Sequence, residues 1–193
     1  MFDALFTTTT EYKKLSHALS GKGACALFGL PASGRAQVYA ALCRQLDKPL
    51  CIVTPGEAEA TRFAADLNTL GIPAAVFPAR DYVLRPIEGT AREYEYRRLA
   101  VLGELVGGRL RAVAVPAEAL TQFTTPKEDF CANTRTLHAG DTLLRDDLLA
   151  ALFGAGYTRR AQVDGPGQFS VRGDIVDIFC SRPENAGSYG ILG

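Results

Sequence analysis

The chain has 193 residues, of which 47% are apolar and 22% charged, and its 21 Lys and Arg balance 21 Asp and Glu. Such a chain can bury a globular core, and its zero net charge argues against a protein that holds nucleic acid mainly through its own field. Five cysteines without a Cys-x-x-Cys pair and only two histidines, His17 and His138, argue against a disulfide framework or a zinc site. The cysteines read as small apolar residues in the core of a reduced, cytoplasmic protein. No basic leader precedes a long apolar run, and no stretch reaches the length of a membrane span, so neither a signal peptide nor a membrane partner is expected.

In chain order, "GACALFGL" (23–30) is an apolar run that predicts a buried strand. After a Gly-rich turn, Val38, Ala41, Leu42 and Leu46 fall at helical spacing. "PLCIVTP" (49–55) predicts a second strand, and Ala60, Phe63, Ala64, Leu67 and Leu70 mark one face of a helix that Gly71 is placed to cap. "AAVFP" (74–78) reads as a third strand and "RDYVLRPIEGT" as a polar connector. A helix is predicted from about Ala91 to Val106, followed by a fourth strand, "RAVAV" (111–115). This alternation predicts an α/β domain with a doubly wound, mainly parallel sheet over residues 1–122.

The rhythm breaks at "TTPKEDFCANTRT" (124–136), which reads as irregular and marks a boundary near 121–126. Beyond it, residues 123–193 read as a small α+β domain: a helix in "LRDDLLAALFGAG" (144–156), then "RAQV", "GQFSVRG" and "DIVDIF" as short strands of an antiparallel sheet. "DIVDIF" reads as a largely buried strand. Asp174 and Asp177 within it read as edge charge and structural contact rather than a metal or acid–base pair. The tail "SRPENAGSYGILG" shows no closing helix and reads as a truncated end.

The turn "GLPASGRAQ" (29–37) comes close to a phosphate-binding loop, Gly-x4-Gly-Lys-Ser/Thr. Gly29 and Gly34 stand at the right separation. Arg35 replaces the lysine, a planar fork in place of a compact ammonium, and Ala36 replaces the hydroxyl that would bind Mg²⁺. Pro31 removes one backbone N–H from the cradle. The fourth strand ends in Pro116-Ala117 rather than in an acidic metal ligand. The set reads as a degenerate nucleotide site or, most plainly, as a tight strand-to-helix turn kept for packing, with no cofactor and no catalytic residues. The rival reading is an active P-loop NTPase or nucleotide-binding enzyme.

"GYTRRAQVDGPGQFSVRGDIVDIF" (156–179) is more specific. It resembles the small second domain shared by the transcription-repair coupling factors (the Mfd proteins) and the excision-repair protein UvrB. Their pattern, Gly-Tyr-x-Arg, a spacer, then Gly-x-Phe-x-x-Arg-Gly followed by an apolar strand, is met by Gly156, Tyr157, Arg159, Gly167, Phe169, Arg172 and Gly173. "FPARDYVLRPIEGTAREYEYRRLAVLGEL" (77–105) is similar to the coupling factors rather than to UvrB, as is a degenerate P-loop in a UvrB-like domain 1A. The resemblance implies that the chain is a non-catalytic adaptor that binds UvrA, the damage-recognition ATPase. It also implies a parent that contacts RNA polymerase and double-stranded DNA as an ATP-driven, helicase-like translocase. Carried over by position, Arg159 and Arg172 match arginines facing UvrA, and Phe169 matches the aromatic between them, although Phe169 by itself reads most simply as a core residue of the small sheet. Ser170 stands where UvrB has another arginine.

Overall fold

The structure, a computed structural model, describes residues 7–21, 23–46, 48–80, 90–180 and 188–192. Most of the connector "RDYVLRPIEGT" and of the tail "SRPENAGSYGILG" lies outside the described residues. By packing, the chain divides into two compact units, one of residues 1–77 and 107–120, the other of 78–106 and 121–193.

The first unit opens with α1 (Thr10–Ser20). Thr9 caps it, its hydroxyl accepting the Tyr12 N–H at 3.3 Å. Tyr12 and Leu15 then pack on Val38, Ala41 and Leu42 of α2 (Ala32–Gln45), and the Tyr12 hydroxyl donates to Gln45 Oε1 at 2.9 Å. Three parallel strands follow: β1 (Leu50–Thr54), β2 (Ala74–Val76) and β3 (Ala112–Pro116), in the order β1-β3-β2. Between β1 and β2 runs α3 (Glu57–Thr69), whose apolar face of Ala60, Phe63, Ala64 and Leu67 lies on the sheet beside Ile52, Ala112 and Ala114. The alanines of the central strand let the helix approach closely. A short helix, α5 (Ala117–Leu120), follows β3.

The predicted strand at 23–30 is not formed. No residue there is in a strand, and Phe28 is 88% exposed. Apolar composition makes a strand only where a neighbouring backbone accepts its N–H and C=O groups. Among the described residues, the parallel sheet is complete with three strands.

The second unit contains α4 (Thr90–Val106), α6 (Lys127–Ala132), β4 (Thr134–His138), α7 (Arg145–Gly154), β5 (Thr158–Arg159), β6 (Gln168–Arg172), β7 (Ile175–Phe179) and β8 (Ser188–Leu192). The stretch 124–136 is therefore ordered as α6 and the start of β4, and β4 pairs antiparallel with β8. "RAQV" is not a strand. β5 lies just before it and runs parallel to β6, while β6 and β7 are antiparallel, so the sheet is mixed rather than antiparallel.

Arg98 on α4 is buried, and it bridges the two segments at which the chain enters that helix's unit. Its Nη1 donates to the Pro78 carbonyl at 2.7 Å and to Gln122 Oε1 at 3.1 Å, and its Nη2 donates to the Thr124 hydroxyl at 2.9 Å. Gln122 Oε1 also accepts the Arg80 N–H at 2.7 Å.

α7 ends in a paired motif: the Gly156 N–H bonds to the Phe153 carbonyl at 3.0 Å and the Tyr157 N–H to Leu152 at 2.9 Å. Gly156 supplies the positive φ of 77° that this helix end requires. Gly167 is the second such position, with φ 72°, and an added Cβ would lie 1.8 Å from the Tyr96 hydroxyl of α4. Gly167→Ala therefore meets both backbone strain and overlap. It should destabilise the second unit by roughly 1–3 kcal/mol in chemical denaturation. Adding Tyr96→Ala should recover only the part due to overlap.

Candidate functional site

The Gly-rich turn of the first unit does not form a phosphate cradle. Pro31 is the N-cap of α2, with φ −65° and ψ 160°, so the helix starts at Ala32 and absorbs the residues that a P-loop would leave in the loop. The Arg35 N–H bonds to the Pro31 carbonyl at 3.1 Å, inside the helix. Gly34 packs on the proline: an added Cβ would stand 3.3 Å from Pro31 Cδ. Ala36 is buried at 3% exposure. Gly29, with φ 81°, lies in the exposed stretch before the helix. Arg35 Nη1 is 3.9 Å from Glu59 Oε1, a carboxylate it shares with Arg62. That carboxylate would repel a phosphate. None of the four turn residues lines the cavity of about 580 Å³ beside α1 and α2. Among the described residues, no group of three or more His, Cys, Asp or Glu could hold a metal ion.

The second unit presents a more ordered set of groups. β6 alternates, as a pleated strand must. Phe169 and Val171 face inward, where Phe169 is wholly buried against Leu152 and Tyr157 and meets the Phe153 ring edge-on at 5.2 Å and 82°. Ser170 and Arg172 face the other way. The β6–β7 register pairs Phe169 with Ile178, Ser170 with Asp177, Val171 with Val176 and Arg172 with Ile175. Val176 and Ile178 thus join the core, while Ile175, Asp177 and Phe179 share the outer side with Arg172.

On that outer side Arg172 Nη2 donates to Asp177 Oδ2 at 2.5 Å, and the Ser170 hydroxyl donates to the same oxygen at 3.1 Å. Arg172 is open to solvent, whereas Ser170 is 2% exposed. The bond from Arg172 chiefly, then that from Ser170, holds the Asp177 carboxyl below the ordinary carboxylate range. Flanking them, Ile175 is 63% and Phe179 44% exposed.

Four expectations change. Phe169, matched to an interface aromatic, is a core residue, because inward alternation and the edge contact with Phe153 leave it no surface. Arg159 is exposed but stands in register with Phe169, so it belongs to the opposite side of the sheet from Arg172. The Arg160 N–H continues the ladder to the Phe169 carbonyl at 2.8 Å, and alternation then turns Arg160 toward the side of Arg172. "DIVDIF" is not largely buried, since its two ends, Ile175 and Phe179, are exposed. Asp174 sits in the two-residue turn before β7 rather than on a strand. Strand parity was the signal for the exposed pair: Ile175, Asp177 and Phe179 are two residues apart and opposite in phase to Val176 and Ile178.

Comparison with known proteins bears on this unit directly. Residues 136–187 match the family model of the UvrB interaction domain. The chain is 29% identical to the transcription-repair-coupling factor of Bacillus subtilis (strain 168) over 82% of its own length and 14% of that protein. It is 27% identical to the transcription-repair-coupling factor of Staphylococcus aureus (strain USA300), over 78% of its own length and 13% of that protein. It thus spans about one seventh of these relatives. Among the described residues, no helix is long and apolar enough to cross a membrane.

Two measurements test the geometry. In a carbon-detected NMR titration, Asp177 should ionise below the usual carboxylate value of about 3.9. Its bond to Arg172 should therefore persist above that value and be lost as pH falls through the lowered one. Arg172→Ala should move the midpoint up. Phe169→Ala should cost about 3–5 kcal/mol of stability, as core truncations do, in denaturant melts. Over most of its length the chain is thus similar to bacterial transcription-repair-coupling factors, and its residues 136–187 match the UvrB interaction domain.

Proposed function

We propose that this chain is the partner-recruiting region of a transcription-repair coupling factor, binding UvrA through its second unit and so bringing excision repair to a stalled RNA polymerase. The observation that carries this reading is Arg172, held open to solvent on the outer side of β6 within residues matched to the UvrB interaction domain. Arginine suits the task because its planar fork pairs carboxylates in a fixed geometry. The whole protein, on this reading, also engages RNA polymerase and double-stranded DNA and is an ATP-driven translocase, working in the cytoplasm.

We further propose that the chain itself is not an enzyme. The turn of Gly29, Gly34, Arg35 and Ala36 serves packing: Arg35 has its N–H in the helix and its guanidinium near Glu59, and Ala36 has no hydroxyl to offer a metal. The purified chain should not hydrolyse Mg-ATP. Turnover abolished by changing Gly34 would establish the NTPase reading instead.

UvrA binding, measured by calorimetry on the purified chain, separates the arginines. Truncating a charge at the centre of an interface costs about 2–5 kcal/mol, whereas a rim charge acts mainly through the on-rate. Arg172→Ala should weaken binding at least about tenfold, since 1.4 kcal/mol is a factor of ten. Arg159→Ala and Arg160→Ala should each change it only a few-fold. Thermal melts should show all three folded, because none removes core volume. Wild-type affinity in folded Arg172→Ala would overturn the assignment of the site.

A further inference from the structure

The pair formed by Arg172 and Asp177 contributes little to stability, because exposed ion pairs are weak in water. Its arrangement suits another purpose. Ser170 and Asp177 are directly opposite in the β6–β7 register, and the Ser170 hydroxyl, itself buried, anchors Asp177 Oδ2 at 3.1 Å. The same oxygen accepts Arg172 Nη2 at 2.5 Å, diagonally across the ladder. A fixed carboxylate thus holds a long side chain that would otherwise sample many rotamers. Among the described residues, Arg172 bonds to Asp177 alone, through Nη2, and an arginine has five N–H donors. The rest of the fork stays open to solvent, on the side of the sheet that also carries the exposed Ile175 and Phe179.

We propose that Asp177 is a positioning residue for partner binding: anchored by Ser170, it presents the remaining donors of Arg172 to a carboxylate on UvrA whose apolar neighbours meet Ile175 and Phe179. This rests on the reading of the second unit as the UvrA-binding region. The chemical reason is entropy. An arginine already ordered in the free protein has less freedom to lose on binding. A competing role is also physically distinct. If Asp177 masked Arg172, removing its charge would free the guanidinium and tighten the complex.

The experiment is a double-mutant cycle with the purified chain and UvrA, read by calorimetry, together with ¹⁵N relaxation of the Arg172 Nε–H in the free chain. Asp177→Asn should weaken binding by about three- to tenfold, a cost of ordering rather than of lost contact. It should loosen the Arg172 Nε–H and leave the melting temperature unchanged. In an Arg172→Ala background it should have no further effect, because contacting residues are not additive. Asp177→Glu should restore part of the affinity. Tighter or unchanged binding in Asp177→Asn overturns the proposal, as does an equal loss in the Arg172→Ala background or an unloosened Nε–H. If the wild-type chain does not bind UvrA at all, the functional reading fails and this inference with it. If the wild type binds and Asp177→Asn is indistinguishable from it, only the inference fails.

Discussion

The burial of Phe169 against Leu152 and Tyr157 settles which residues of the β6–β7 pair face outward. A strand residue cannot face both ways. Once Phe169 is inside, Val171 must follow it, and Ser170 and Arg172 must face out. The antiparallel ladder passes this choice to β7, where Val176 and Ile178 complete the core and Ile175, Asp177 and Phe179 are left outside. Two glycines secure the frame. Gly156 ends α7 so that Tyr157 enters the core. Gly167 brings its carbonyl to the Thr158 N–H at 2.9 Å and its N–H to the Phe179 carbonyl at 3.0 Å, joining β5 to the β6–β7 pair.

A different constraint defines the unit itself. A guanidinium buried to 3% exposure needs hydrogen-bond acceptors, and a carbonyl, an amide oxygen and a hydroxyl drawn from 78–80 and 122–124 are among those Arg98 has. These are the stretches where the chain leaves the parallel-sheet unit, so α4 is tied to both crossings at once. Phe130 of α6 reinforces this: an added Cβ on Gly103 of α4 would lie only 3.7 Å from its ring. The helix between two strands of the first unit's sheet thus packs within the second.

How much of this was readable follows from what each signal measures. The periodicity of Ala60, Phe63, Ala64 and Leu67 reports a helix face, and α3 lies on the sheet as that pattern implies. The runs at 49–55 and 111–115 hold neighbouring strands because each finds a partner. The run at 23–30 is equally apolar and finds none, so composition alone could not separate it from them. α1 escaped notice although its signals were present: Thr9 is a good cap, and Tyr12 and Leu15 are three residues apart. β4 was hidden because Thr134–His138 is mostly polar and draws its pairing from β8, some fifty residues on. The site was half legible. The arginine pattern located the strands, but the inward turn of Phe169 and the separation of Arg159 from Arg172 depend on register, which no local pattern records.

Register also gives meaning to Ser170, the position where UvrB has an arginine. At this point of the ladder the side chain stands directly across from Asp177, close to the sheet and shielded from water. A serine there can turn its short hydroxyl onto the carboxylate and be covered. A guanidinium on a long stem would have to lean out to keep its donors solvated, and would compete with Arg172 for the same oxygen. With serine in place, Arg172 shares the Asp177 carboxylate with no second guanidinium from this position, and Ile175 and Phe179 supply exposed apolar area on the same side. The chain as a whole is neutral. On the proposed reading, recognition rests on the oriented guanidinium of Arg172 in an apolar setting rather than on a broad basic field. Such a surface is selective for a matching carboxylate and weakly attractive to polyanions in general.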